Sequence, residues 1–501
     1  MNLLKKLLPV LIVIFLSFWA IKPLFTPGFF PIHDDTQIAR VFEMTKSLKM
    51  GMFPVRWVAD LGYGLGYPIF NFYAPLAYYI GSLFNLIGFD ALAATKIMMG
   101  LGIVLSGVSM YLFVRQLFGE KSAVVGALFY MYAPYHALDI YVRGDVSEFW
   151  AYAFIPLVFY ALFKVYKTVN LKFVVVAALA YAATITSHNL TAMMVTPFLL
   201  FFLLVLIGVS LRKKAKNTVY FLISSFVLGI IISCFYWLPA LSEMKYTNVF
   251  SLLGGGSHFA DHFVCINQLW SSPWGYGGSA PGCVDGLSFM IGKLHILVAI
   301  ISIISVSILL IFKKHTKDKK KILIVIFSFL GFLFSLFLTL EISKLIWQAI
   351  PTMAFFQYPW RFLLMVSFFA SILAGSLIWV IEFLPAKKFF PHYVLEISAV
   401  IIVALLFLNI KFFVAQTVLQ NNSGFYTNEY TLKWTTSKIS DEYLPQGTLK
   451  PITAKEALQN KQVFSFSQTP IEKTANLISL AGIVVAIIGI ILPRKKTYHA
   501  N

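Results

Sequence analysis

Apolar runs separated by short polar loops recur along almost the whole chain. Most approach or exceed the roughly 18 to 20 residues that cross a bilayer as a helix. The pattern predicts twelve spans, at 7–25, 91–114, 122–138, 149–166, 171–186, 190–210, 218–241, 291–312, 322–340, 360–383, 393–413 and 475–492. A further apolar run, 67–89, is long enough, but it contains Pro68 and Pro75 and follows Gly62, Gly64 and Gly66, which suit a broken path. Between the first two spans the period becomes that of an amphipathic helix. From Asp35 onward, Ile38, Val41, Phe42, Thr45 and Leu48 share one face, with Arg40, Glu43, Lys46 and Lys49 around the other. Such a helix is expected to lie in the membrane interface.

Composition sharpens the class. With 59% hydrophobic and 12% charged residues and a mean hydropathy of +0.79, the chain reads as an all-α polytopic integral membrane protein. The net charge of +19 lies mostly in short clusters, at Lys5–Lys6, Arg115/Lys121, Lys164/Lys167/Lys172, 212–216, 313–321, Lys387/Lys388 and 494–496. None is large enough for a nucleic-acid-binding domain, so the expected partner is the lipid bilayer and no nucleic acid. If 67–89 is an interfacial or re-entrant segment, every cluster falls on the side of Lys5 and Lys6, as the positive-inside bias requires. Both termini are then expected in the cytoplasm, with the first apolar segment a retained anchor, since no small-x-small cleavage site follows it. The expected organisation is a transmembrane domain, 1–414, with large outer loops at 26–90 and 242–290. A short extracytoplasmic segment, 415–474, follows, and 475–501 forms a last span with a basic tail.

Nearly all unusual polar residues fall in the outer loops. Asp34 and Asp35 follow His33 just ahead of the amphipathic helix. Asp34 with Gln37 three residues on resembles a capping box, which accounts for one acid. A carboxyl at an apolar boundary also tends to a raised pKa, which suits a general base. The second loop holds Asp139, Arg143, Asp145 and Glu148 within ten residues. That is either a solvated loop, or an arginine for a phosphate with Asp145 or Glu148 orienting an acceptor or a divalent metal. His188 and Arg361 sit at span ends on the same side, as interfacial anchors or as ligands to a lipid phosphate. Lys293 and His295 are weaker versions of the same pattern. His258, Asp261 and His262 have metal-compatible spacing on a helix, without a third strong ligand. Cys265 and Cys283 share one outer loop and are candidates for a disulfide; Cys234 lies within a span.

The run His33-Asp34-Asp35, followed by a helix and by Phe53-Pro54-Val55-Arg56-Trp57, resembles the GT-C type membrane glycosyltransferases. Their first outer loop carries a catalytic acid. A closer resemblance is to the bacterial and archaeal membrane family called 6-pyruvoyl-tetrahydropterin synthase-related. It is carried by 67–75 (YPIFNFYAP), 141–144 (YVRG), 187–190 (SHNL), 268–270 (QLW), 274–276 (WGY), 285–289 (DGLSF), 357–361 (QYPWR) and 442–445 (EYLP). The family name is not a chemical guide here, because a pterin synthase of that kind needs a soluble fold and a three-histidine zinc site. The resemblance implies a GT-C-like fold and puts the catalytic acid at Asp34 first and Asp35 second. It implies transfer of a sugar from a polyprenyl-phosphate-linked donor to an envelope or glycan acceptor outside the plasma membrane. Segment 415–474 is short for a family whose members often carry a larger soluble domain there. The rival expectation is a non-enzymatic protein that binds or moves lipid-linked saccharides; it predicts ionisable residues deep within spans, and few occur. Oligomeric state is open.

Overall fold

The computed structural model describes residues 2–312, 319–382, 393–460 and 467–491. Among these the chain is all-helical, with isolated bridges in place of strands. Nine helices are long and apolar enough to cross a membrane, or ten if one bent pair counts as a span. The centre of the bundle is Leu363–Ile381, buried on every face from 363 to 380, as expected of a helix that is apolar all round. It packs on Glu120–Met131, Lys293–Phe312 and Lys319–Thr339. Gly126 and Gly375 permit the closest approach: a Cβ on either would come within 3.0 Å of a carbonyl oxygen, that of Ser371 or of Ser122.

The count falls short of twelve for local reasons. The run 122–138 forms Glu120–Met131 and then Pro134–Leu138, because Pro134 lacks an N–H and disfavours helix in the residue before it. The Tyr132 carbonyl freed by that break accepts a bond from Asn409 Nδ2 at 2.8 Å. The run 218–241 becomes Lys216–Ile232 and Cys234–Tyr246, bent by 60°. At the bend Ser233 Oγ donates to the Gly229 carbonyl (2.9 Å) and Trp237 Nε1 to the Ile230 carbonyl (2.9 Å), side chains satisfying carbonyls near the kink. The run 171–186 forms Leu171–Ser187, an apolar helix of 17 residues, about 26 Å by helix rise. The basic residues 313–318, Lys387/Lys388 and 494–496 lie outside the described residues.

The loop after the first span departs from a surface helix. Gln37–Lys49 forms as the periodicity predicts, but Arg40 and Glu43 are buried along with the apolar face. Arg40 donates to Tyr78 Oη (3.3 Å) and Ser440 Oγ (3.1 Å). The part of the following segment at 415–460 therefore covers the face expected to meet water. It is pinned there by Tyr63 Oη to Asp441 (2.8 Å), Asn460 Nδ2 to the Tyr63 carbonyl (2.9 Å) and paired backbone bonds between Phe29 and Leu419. The run 67–89 breaks into Ile69–Phe72 and Leu76–Leu86. Eleven residues rise only about 16 Å, too little to cross. Cysteines placed at Lys49 and Leu86 are accordingly expected to react with a membrane-impermeant maleimide from the same side. Labelling from opposite sides would show that the segment crosses.

Candidate functional site

Two loops meet at one end of the bundle. The second begins with the π-helical turn Asp139–Arg143, which ends at Gly144 in the left-handed region (φ +66°). A Cβ on Gly144 would also lie 2.4 to 2.8 Å from Ile32, so both its conformation and this close approach require glycine. Across the contact the His33 and Asp34 N–H groups donate to the Val142 and Arg143 carbonyls, each at 3.0 Å. Gln37 Nε2 donates to the Gly144 carbonyl (2.8 Å), while its Oε1 accepts from Tyr78 (2.6 Å).

These bonds remove the capping box. The helix N-cap is Thr36, without a side-chain cap bond, and Gln37 is committed elsewhere. The Asp34 carboxylate makes no side-chain hydrogen bond among the described residues, and neither does that of Asp35.

Behind Asp34 lies a buried charged cluster centred on Arg143. Its guanidinium pairs with Asp139, with Asp145 (2.9 Å) and with Glu148 (3.0 Å), and stacks on the Trp360 ring with its carbon 4.7 Å from the centroid. Asp145 also caps Val146–Thr168 by accepting from the Glu148 N–H (3.0 Å), and Glu148 accepts from the Tyr135 hydroxyl. Arg361 approaches the same acids less closely, 3.9 Å from Asp145 and 3.6 Å from Glu148. It is buried, yet its Nε and Nη1 have no hydrogen-bond acceptor among the described residues. His188 is buried near Asp145 and bonds Thr191 through Nδ1 (2.7 Å).

The electrostatics differ sharply between these acids. Burial raises the Asp34 pKa to about 6; Asp145 adds to the rise, and Arg40, Arg143 and Arg361 oppose it. Burial raises Asp35 to about 6 as well. Burial and Glu148 hold Asp139 well above the ordinary range despite Arg143. Asp145 goes the other way: burial works against its charge, but His188, Arg143 and Arg361 together hold it low. Burial lowers the His188 pKa, with Asp145 and Glu148 opposing and Arg361 and Arg143 adding to the fall.

The structure thus brings Asp34, Arg143, Asp145, Glu148, His188 and Arg361 together, with Asp35 at the rim. Asp139, Asp145 and Glu148 offer three oxygens within 4.8 Å of one another, a spacing that suits a divalent cation. The Arg143 guanidinium already takes that centre and contacts all three, so the residues do not fit a resident metal as they stand. The 258–262 spacing is not realised on a helix either. Phe259–Asp261 is a single turn, and both His262 nitrogens are committed, to Ser279 (2.8 Å) and the Gly256 carbonyl (2.9 Å). Cys265 and Cys283 are joined in a disulfide, and Cys234 is a buried thiol. His295 is buried, bonded to the Phe129 carbonyl at 2.9 Å.

The sequence reading missed Arg40, Tyr73, Tyr78 and Tyr135. Arg40 was placed on a solvent face, although its carbon lies 4.3 Å from the Tyr73 ring centroid.

Fold and site define a polytopic helical membrane protein with a buried charged centre at one end. Residues 70–251 match the family model described as 6-pyruvoyl-tetrahydropterin synthase related domain, membrane protein. A curated relative, an uncharacterized protein of Lactococcus lactis subsp. cremoris, is 24% identical over 244 residues. That alignment covers 47% of this chain and 39% of the relative. Among solved structures, the chain is similar to the arabinofuranosyltransferase AftD from Mycobacteria (TM-score 0.47, 11% identity, 83% of this chain and 28% of that one). It is also similar to ArnT from Cupriavidus metallidurans, solved with undecaprenyl phosphate bound (TM-score 0.31, 12% identity, 75% and 78%).

The two arginines should separate in a stability measurement. Arg143→Met leaves three buried carboxyls without their main partner and is expected to cost roughly 3 to 5 kcal/mol, seen as a lowered denaturation midpoint in detergent. Arg361→Gln breaks no hydrogen bond and should cost far less. Equal losses would contradict the division.

Proposed function

We propose that this protein is a membrane glycosyltransferase that takes a sugar from a polyprenyl-phosphate carrier and passes it to a glycan acceptor on the extracytoplasmic face, with inversion. The observation that carries the reading is the pairing of an acid and a cation with different commitments. The Asp34 carboxyl has a raised pKa and no side-chain hydrogen bond among the described residues, and Arg361 is a buried guanidinium whose Nε and Nη1 have no acceptor among them. An unmet buried guanidinium is expensive unless an anion completes it, and its planar fork suits a phosphate. Arg143 is less suited, because three carboxylates already hold it.

In this mechanism Arg361 binds the phosphate of the carrier. The Asp34 carboxylate accepts the proton of the attacking hydroxyl as the new bond forms at the anomeric carbon. The bond from that carbon to the phosphate oxygen breaks on the opposite side, and the phosphate leaves with the electron pair, its added charge met by Arg361. Sidedness is inferred from charge. Val146–Thr168 starts at the site and carries Lys164 and Lys167 near its far end, roughly 35 Å away by helix rise. Basic ends mark the cytoplasmic side, which leaves the acids outside.

Asp34→Asn is expected to lower transfer by at least about 100-fold while leaving expression and folding intact. The assay uses radiolabelled polyprenyl-phosphate sugars and envelope glycan; unchanged transfer in that variant sinks the assignment. Arg361→Gln should weaken use of the carrier by roughly 10-fold or more, the value of a charge-assisted hydrogen bond. The base must be ionised to act, so kcat/KM should rise with pH through about 6 and level above it. A profile flat from pH 5 to 8 would argue against Asp34.

A further inference from the structure

The outer rim of the site is aromatic and separately braced. Tyr276 sits on a hairpin in which the Gly277 N–H donates to the Gly286 carbonyl and the Gly286 N–H to the Gly278 carbonyl, each at 3.1 Å. The two backbones are so close that a Cβ on Gly277 would fall 2.3 Å from Gly286 Cα. The Cys265–Cys283 disulfide closes this loop. Asp285 ties it further, accepting from Gln268 Nε2 (2.6 Å) and from the Ala280 N–H (2.8 Å). Trp274 anchors the near end on Phe412, with ring centroids 4.8 Å apart.

All this bracing holds a side chain that stays 45% exposed. The Tyr276 ring meets His33 edge-on at 4.7 Å, directly beside the two acids. On the other flank Tyr426 is buried against Phe29, ring centroids 6.2 Å apart. The Asp35 and Asp34 charges both act on the Tyr276 hydroxyl, and the Asp35 charge acts on that of Tyr426 as well. Asp145 and the three arginines act on Asp34, whereas burial alone raises Asp35. Both acids therefore border the aromatic rim, and Asp34 borders the charged centre too.

We propose that Tyr276, with Asp35 beside it, forms the subsite for the acceptor saccharide. The exposed ring offers an apolar face to the C–H face of a sugar, and an ionised carboxylate has only acceptor oxygens, suited to a pair of hydroxyls. The hairpin supplies rigidity, so the ring is already in place when the sugar arrives. The role of acceptor rests on the glycosyl-transfer reading above.

The test uses the full chain in lipid nanodiscs and a panel of methyl glycosides (arabinofuranoside, glucopyranoside, galactopyranoside, mannopyranoside), with binding followed by saturation-transfer NMR. Wild type is expected to bind at least one of them. Tyr276→Ala should bind it roughly 2- to 10-fold more weakly, the range for one aromatic contact. Tyr276→Phe should retain binding, which separates loss of the ring from misfolding. The joint variant Cys265→Ser, Cys283→Ser should follow Tyr276→Ala, and Arg361→Gln should leave saccharide binding unchanged. A wild-type protein that binds none of the glycosides, or a Tyr276→Ala variant that binds as tightly as wild type, overturns the proposal. Undecaprenyl phosphate binding, measured on the same nanodiscs, reports on the carrier separately. Its absence with saccharide binding intact overturns the donor reading and leaves the Tyr276 subsite standing.

Discussion

The Arg143 guanidinium and its three carboxyls are the contact on which the rest of the site depends. Taking four ionisable groups out of water costs several kcal/mol for each charge that stays ionised, and only close pairing repays it. Each part of that pairing fixes a different segment. Asp139 and Arg143 close the π-helical turn, Asp145 starts the helix that carries Glu148, and Trp360 under the guanidinium sets the neighbouring Arg361 at the same level. The Arg143 carbonyl then holds the Asp34 backbone. One ion cluster thus joins loops that are about a hundred residues apart in sequence, and a third element from beyond residue 350.

Charge balance explains why two arginines in one cluster play unlike parts. Asp145 and Glu148 are both nearer to Arg143 than to Arg361. Arg361 is left with long, weak contacts and unmet donors. A buried donor without a partner is destabilising, and such groups persist where a ligand completes them. The cluster as a whole is nearly neutral, with a single cation still available to an anion.

Periodicity made the long uninterrupted spans legible, because an apolar run of the right length has one cheap solution in a bilayer. It failed where a helix is broken by a side chain or a proline whose vacated carbonyl is met from elsewhere. Nothing local in 122–138 reveals that Asn409 will satisfy the Tyr132 carbonyl. Residues of the charged cluster were visible as oddities at span ends, each ambiguous alone. Their convergence was not visible, since it depends on which loop packs on which. Arg40 shows the limit most plainly. Its position on the polar face of Gln37–Lys49 was read correctly, yet that face is buried, because Ser440 lies four hundred residues on. The capping box failed for a related reason: Gln37 Oε1, which would have accepted from the N-cap N–H, accepts from Tyr78 instead, while Nε2 donates to the Gly144 carbonyl across the loop contact.

Sequestration of Arg143 also bears on the strength of Asp34 as a base. An arginine free to pair with Asp34 would pull its pKa down by a unit or more, to about the range of a poor proton acceptor. Asp139, Asp145 and Glu148 absorb that field instead, and Asp145, held ionised, pushes the Asp34 pKa upward. In the proposed mechanism the same acids would keep a buried cation near the leaving phosphate without letting it neutralise the base. In such a site the acid cluster needs no contact with substrate to matter. It decides how basic Asp34 is, and it leaves Arg361 as the cation with room for a ligand. Asp35 is outside that control, and its raised pKa comes from burial alone. Neighbours in sequence, the two acids are governed by different parts of the fold.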